Sequence, residues 1–106
     1  MIYIDKIHMV ADTLGELLAF GRAMGLRPEL VLGWSKIRRN PHFDLTTPEA
    51  LARAKKRGAI VVSGIRLVKI AARMKVDEQS AKQLDDLFAP DDLPVLNGKT
   101  GQTAML

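Results

Sequence analysis

Two histidines and a set of nearby carboxylates carry most of the acid–base and ligand chemistry open to this chain. His42 and Asp44 stand two apart in a stretch of extended character. Both side chains therefore project to one face while Phe43 projects to the other. Such a pair works in one of two ways. Asp44 can orient His42 as a general base, or the two can ligate a hard or borderline divalent metal. Asp5, His8 and Asp12 precede the first expected helix and could come within reach, so Asp5, Asp12, His42 and Asp44 form the candidate metal set. The alternative is that each lone His or Asp satisfies a local hydrogen bond.

A second group of residues suits anions. Thr13, Thr47 and Ser63 read as helix N-caps, and free amides at helix starts gathered on one sheet edge attract phosphate or carboxylate. Arg66 falls in the first turn after Ser63, where a cation opposes the helix dipole. It therefore expects a partner, either Asp5, Asp44 or a bound anion. Trp34 lies beside Lys36, Arg38 and Arg39, an arrangement that lets an aromatic ring stack on a base while cations meet phosphates. A rim tryptophan packed down on the core is the competing account.

Charge is unevenly distributed. Residues 1–35 carry three basic and four acidic groups (−1), residues 36–75 eleven and two (+9), and residues 76–106 two and six (−4), which gives the net +4. A basic middle invites a polyanion. The cluster Arg53, Lys55, Lys56 and Arg57 has a simpler explanation, because cations in the last turn of a helix complement its dipole.

The elements that must position these groups follow from local pattern. Ile2–Ile4 reads as a first strand ending at Asp5. Thr13-Leu14-Gly15-Glu16 is a capping box that opens a helix through Leu14, Leu17, Leu18 and Met24, closed by Gly25. Residues 29–32 read as a second strand and residues 33–41 as a loop ended by Asn40-Pro41. Thr47-Pro48 starts a helix that stops at Gly58. Residues 59–62 are a continuous apolar run, expected to be a strand buried on both faces of a parallel sheet. Ser63 opens another helix, and a last one begins near Asp77 with Ala81, Leu84 and Phe88 on its apolar side. The expectation is an α/β domain over residues 1–89. It has a small open, three-layer-type, mostly parallel sheet and three to four helices. Residues 90–106 are expected to form a flexible acidic tail. A chain of 106 residues without cysteine fits one domain in a reducing compartment. With no apolar run of membrane-spanning length and no signal-type N-terminus, the expected location is cytoplasmic, with no membrane partner. An edge strand leaves room for a homo-oligomer.

Taken in order, Met1-Ile2-Tyr3-Ile4-Asp5, His8-Met9-Val10-Ala11-Asp12-Thr13, His42-Phe43-Asp44, Arg57-Gly58-Ala59 and Val61-Val62-Ser63 with Arg66 resemble DUF4031, a bacterial and phage family of unknown function. The resemblance spans about residues 1–74. It implies no activity, but it does imply that Asp5, His8, Asp12, His42, Asp44 and Arg66 form one site. Two departures stand out: a shortened segment, Lys6-Ile7, before His8, and Leu67 after Arg66. The strand–acid–helix order is also loosely similar to PIN-like nuclease domains, although Arg66 stands where those carry an acid. The leading expectation is binding of a phosphate-bearing ligand, nucleotide or nucleic acid, at the carboxyl edge of the sheet. Asp5, His8, Asp12, Thr13, His42, Asp44, Ser63 and Arg66 are the expected contacts, helped by Trp34, Lys36, Arg38 and Arg39. The alternatives are a metal-dependent nuclease or phosphodiesterase and a phage-type module that docks on a host protein.

Overall fold

The segment that leads from Asp5 toward the first helix is itself a strand, and this sets the direction of the sheet. In the computed structural model, which describes residues 1–34 and 39–88, β1 (Ile2–Ile4) and β2 (His8–Ala11) pair antiparallel, with Ile4 opposite Met9. The turn between them is made by Asp5. Its Oδ1 accepts the amides of Ile7 at 2.8 Å and His8 at 2.7 Å, so the side chain replaces backbone partners in the reversal.

The chain continues through α1 (Leu14–Ala23), a short 3₁₀ turn (Pro28–Leu30), β3 (Leu32–Trp34), β4 (Arg39–Asp44), α2 (Pro48–Lys56), β5 (Ile60–Val61), α3 (Gly64–Ala72) and α4 (Glu78–Leu87). Among the described residues the sheet has five strands in the order β3-β4-β2-β1-β5. Pairings β1–β2, β2–β4 and β3–β4 are antiparallel, and only β1–β5 is parallel. The protein is thus α/β with a mostly antiparallel sheet, not the mostly parallel one expected. The Asp5 turn and the β3–β4 pairing replace crossovers with reversals.

Three further expectations change. Pro28 starts a 3₁₀ turn in place of the second strand, which begins only at Leu32. Asn40 and Pro41 lie inside β4, where a register shift against β3 accommodates a residue with no amide to donate. Residues 60–61 form an edge strand with Val61 59% exposed, so this run is not buried on both faces. The expected tail, residues 90–106, lies outside the described residues.

Helix boundaries follow local chemistry. Thr13, Thr47 and Ser63 accept the amides of Glu16, Ala50 and Arg66 at 3.1, 3.1 and 3.2 Å. Gly25 and Gly58 adopt positive φ after α1 and α2, and the Leu26 and Ala59 amides reach back to the Gly21 and Ala54 carbonyls in Schellman closures.

The sheet has one thickly covered face. Ile2, Ile4, Met9, Ala11 and Phe43 point to it and are buried against Leu14, Leu17 and Leu18 of α1, with Ala54 of α2 and Leu84 of α4 in the same cluster. Tyr3, His8, Val10, His42 and Asp44 alternate to the opposite face, beneath α3, whose Leu67 is buried. Among the described residues, no helix is long and apolar enough to cross a membrane.

Asp77 ties the first layer together. Its Oδ1 accepts the Gly15 amide at 2.8 Å and its Oδ2 the Ser80 amide at 3.1 Å, capping α4 while holding the start of α1. Asp77→Ala is expected to cost about 1–2 kcal/mol in urea unfolding, and Asp77→Asn less, because the amide oxygen still accepts. The Ser80 hydroxyl, then the two backbone amides, hold the Asp77 carboxyl below its usual 3.8 against the opposing effect of burial. A depressed folded value means this contribution is complete above that pH and is lost as pH falls through the folded value. Acid unfolding of Asp77→Ala should therefore be shallower than that of the wild type.

Candidate functional site

Strands β1, β4 and β5 run in one direction and β2 in the other, and this decides which candidate residues meet. Asp5 follows β1, Asp44 ends β4 and Ser63 follows β5, while His8 starts β2 opposite Asp44. These four groups share the carboxyl edge. Asp12 and Thr13 stand at the far end of β2, about 13 Å along the strand from His8. There the Tyr3 hydroxyl donates to Asp12 Oδ2 at 3.2 Å, and the amide after Thr13 donates to the Lys75 carbonyl. The helix starts at Thr47 and Ser63 therefore lie toward one edge and the start at Thr13 toward the other. They do not all converge as expected, because β2 is antiparallel.

Asp5 is the most constrained group on that edge. With Oδ1 held by two amides, Oδ2 lies 3.1 Å from His8 Nδ1, and the side chain is 16% exposed. Burial pushes its carboxyl up, but the amides of Ile7 and His8 and the His8 ring outweigh this and hold it below 3.8. Protonation of Asp5 in acid removes its charge and so weakens it as acceptor for the turn and for His8 together. Asp5→Ala should therefore destabilise the hairpin by about 2 kcal/mol above pH 4, measured by urea unfolding, with the difference shrinking as pH falls through the folded value of Asp5.

His42 is oriented by a different group from the one expected. Its Nδ1 lies 2.9 Å from the Asn40 carbonyl, which can only accept, so Nδ1 carries the proton. Its Nε2 is 3.6 Å from Asp44 Oδ1, beyond a hydrogen bond, so Asn40 and not Asp44 fixes the ring. The His8 and His42 rings meet edge to face, with centroids 5.7 Å apart and planes at 68°. Among the described residues, no three His, Asp or Glu side chains form a group that could hold a metal ion. Asp12 is on the wrong edge, and both Asp5 oxygens are already engaged.

Trp34 is turned toward α4, where its Nε1 donates to Asp85 Oδ1 at 3.0 Å. Lys36, Arg38 and the side chain of Arg39 lie outside the described residues. In α2, Arg53 Nη2 donates to the Met24 carbonyl at 2.6 Å, so part of the basic cluster there closes the end of α1.

Arg66 has no acid partner among the described residues. It lies near Tyr3, whose hydroxyl is raised by desolvation and by Asp12 against the lowering influence of Arg66. Lys69 and Arg73 follow at i+3 and i+7 on the same flank, and with Ser63, Ile65 and Ile70 they line a shallow concavity of about 450 Å³. No acid among the described residues pairs with Lys69 or Arg73 either. The other flank of α3 presents Leu67, Val68, Ala71 and Ala72, which with His8, Val10, Asn40 and His42 line a groove of about 340 Å³. Sequence reading found Arg66 through its unfavourable place in the first turn. It missed Lys69 and Arg73, whose spacing from Arg66 was the available signal. It also missed Asn40 and the Asp5–His8 pair, which depend on strand register.

Among known proteins, the model of one family, described as protein of unknown function (DUF4031), matches residues 4–74. No curated protein and no solved structure matches.

Proposed function

We propose, for a chain that belongs to the DUF4031 family, a role in binding phosphate-bearing ligands, with a nucleic-acid strand laid along the Arg66 flank of α3. The observation that carries this reading is the row Arg66, Lys69 and Arg73 around one concavity, with no acid among the described residues paired to any of the three. Cations on a surface are usually interleaved with acids, and an uncompensated row attracts a polyanion. Seven residues of helix span about 10 Å. That length corresponds to about three phosphate steps of a strand at 3.4 Å rise, so a nucleic acid fits the row better than a single mononucleotide. Ser63 and the start of α3 lie at one end of the row, where the helix dipole also favours negative charge.

Fluorescence anisotropy of short labelled single-stranded DNA, RNA and duplex DNA tests the reading. Binding is expected at low salt. The slope of log K against log salt should be about −2 for a single strand and about −3 for a duplex, as three phosphate contacts require. Absence of binding at low salt would overturn it. Tighter binding of a mononucleotide than of the strands would move the ligand class to nucleotides.

A further inference from the structure

The opposite flank of α3 holds a second group of features that phosphate binding does not use. His8 Nδ1 is hydrogen-bonded to Asp5 Oδ2 at 3.1 Å, and the Asp5 carboxylate is itself fixed by two backbone amides. An ionised carboxylate can only accept, so Nδ1 carries the proton and Nε2 of the neutral ring carries the lone pair. This is how a carboxylate selects the tautomer of a catalytic imidazole. No hydrogen bond to His8 Nε2 is made by a described residue. His8 lines the groove of about 340 Å³, whose other walls are largely apolar: Val10, Leu67, Val68, Ala71 and Ala72. Its remaining polar groups are His42, held by Asn40, and Asn40 itself. Small-molecule sites have this make-up, an apolar cleft of a few hundred Å³ with a few oriented polar groups.

We propose that this groove is a general-base site for a small, flat, largely apolar molecule carrying an abstractable proton, with His8 Nε2 as the base and Asp5 as its positioning residue. The proton passes from the ligand to Nε2, and the resulting imidazolium is stabilised by the Asp5 carboxylate at Nδ1. The electron pair stays on the ligand. Leu67, Val68, Ala71 and Ala72 give the groove an apolar wall, which suits a largely apolar ligand beside the ring. The site stands on the flank of α3 away from Arg66, Lys69 and Arg73, so it is independent of the phosphate reading.

The probe is 5-nitrobenzisoxazole, in which removal of the C3 proton forms a nitrile as the ring N–O bond breaks, releasing a coloured phenolate. The protein should accelerate this reaction at least tenfold over an equal concentration of free imidazole, within the range of general-base catalysis. The chain has 2 histidines, so background from other imidazoles is limited to His42. His8→Gln should remove the acceleration, with melting curves showing the variant folded. Asp5→Asn keeps an oxygen for the Ile7 and His8 amides but turns an NH₂ group toward Nδ1. It should therefore shift His8 to the Nε2–H tautomer, seen in imidazole nitrogen NMR, and cut the rate at least tenfold in a folded protein. A wild-type rate no greater than that of free imidazole overturns the proposal, as does equal activity of His8→Gln. Unchanged activity of Asp5→Asn overturns the role of Asp5. Nucleic-acid binding should be the same in wild type and His8→Gln, so failure here and failure of the phosphate reading are separable.

Discussion

Replacing Arg66, Lys69 and Arg73 together with Ala is expected to weaken nucleic-acid binding about a hundredfold at low salt and to flatten its salt dependence almost completely. Each side chain contributes an exposed charge contact worth about 1 kcal/mol, the upper end for such pairs, and three make roughly two decades in Kd. The salt slope should fall by about one for each cation removed from a duplex contact. The fold should survive, since Arg66 and Lys69 lie on an exposed side of α3 and no acid among the described residues pairs with any of the three. The matched control is Lys55, Lys56 and Arg57 changed to Ala. These residues carry the same formal charge, but they sit in and after the last turn of α2, where they complement the helix dipole. A larger loss in the α2 variant than in the α3 variant would place the ligand elsewhere.

The largest expected effect on stability is that of Phe43→Ala. Phe43 is 1% exposed and lies so close to α1 that a Cβ on Gly21 would stand 2.7 Å from its ring. Removing the ring empties the space between β4 and α1. The expected cost is about 3–5 kcal/mol, a large part of the 5–15 kcal/mol typical of a domain. Urea unfolding should show it as a fall in midpoint. The same strand carries His42 and Asp44 on its other face, so the variant should also loosen the groove under α3. A loss below about 1 kcal/mol would mean that β4 is not anchored on α1 in this way. Gly21→Leu should be comparably harmful by overpacking, because even a Cβ there would stand 2.7 Å from a buried ring.

What could be read from the sequence was whatever depends on neighbours in the chain. Thr13, Thr47 and Ser63 cap their helices because a hydroxyl three residues before an amide needs no tertiary partner. Gly25 and Gly58 end α1 and α2 for the same local reason. The alternation that sends Phe43 inward and His42 and Asp44 to the other face was also legible. Strand direction was not. It turns on one carboxylate, Asp5, closing a three-residue reversal, and the residues after it can equally be read as the approach to α1. From that single difference follow the antiparallel sheet, the separation of Asp12 from Asp5, and the pairing of His8 with Asp5 in place of His42 with Asp44. The misplacement of Arg66 against the helix dipole was visible in the sequence, but its companions Lys69 and Arg73 matter only once α3 is seen to have two different flanks.

If phosphate lies along the Arg66 flank of α3, backbone amide NMR of the protein with a bound single strand will map it there. Titration of a short single-stranded DNA should shift the amides of residues 63–73 and of Tyr3, and leave those of α2 and of the strand residues His8, Asn40 and His42 little changed. Shifts confined to residues 53–57 or to those strand residues, or none at all, would contradict that placement.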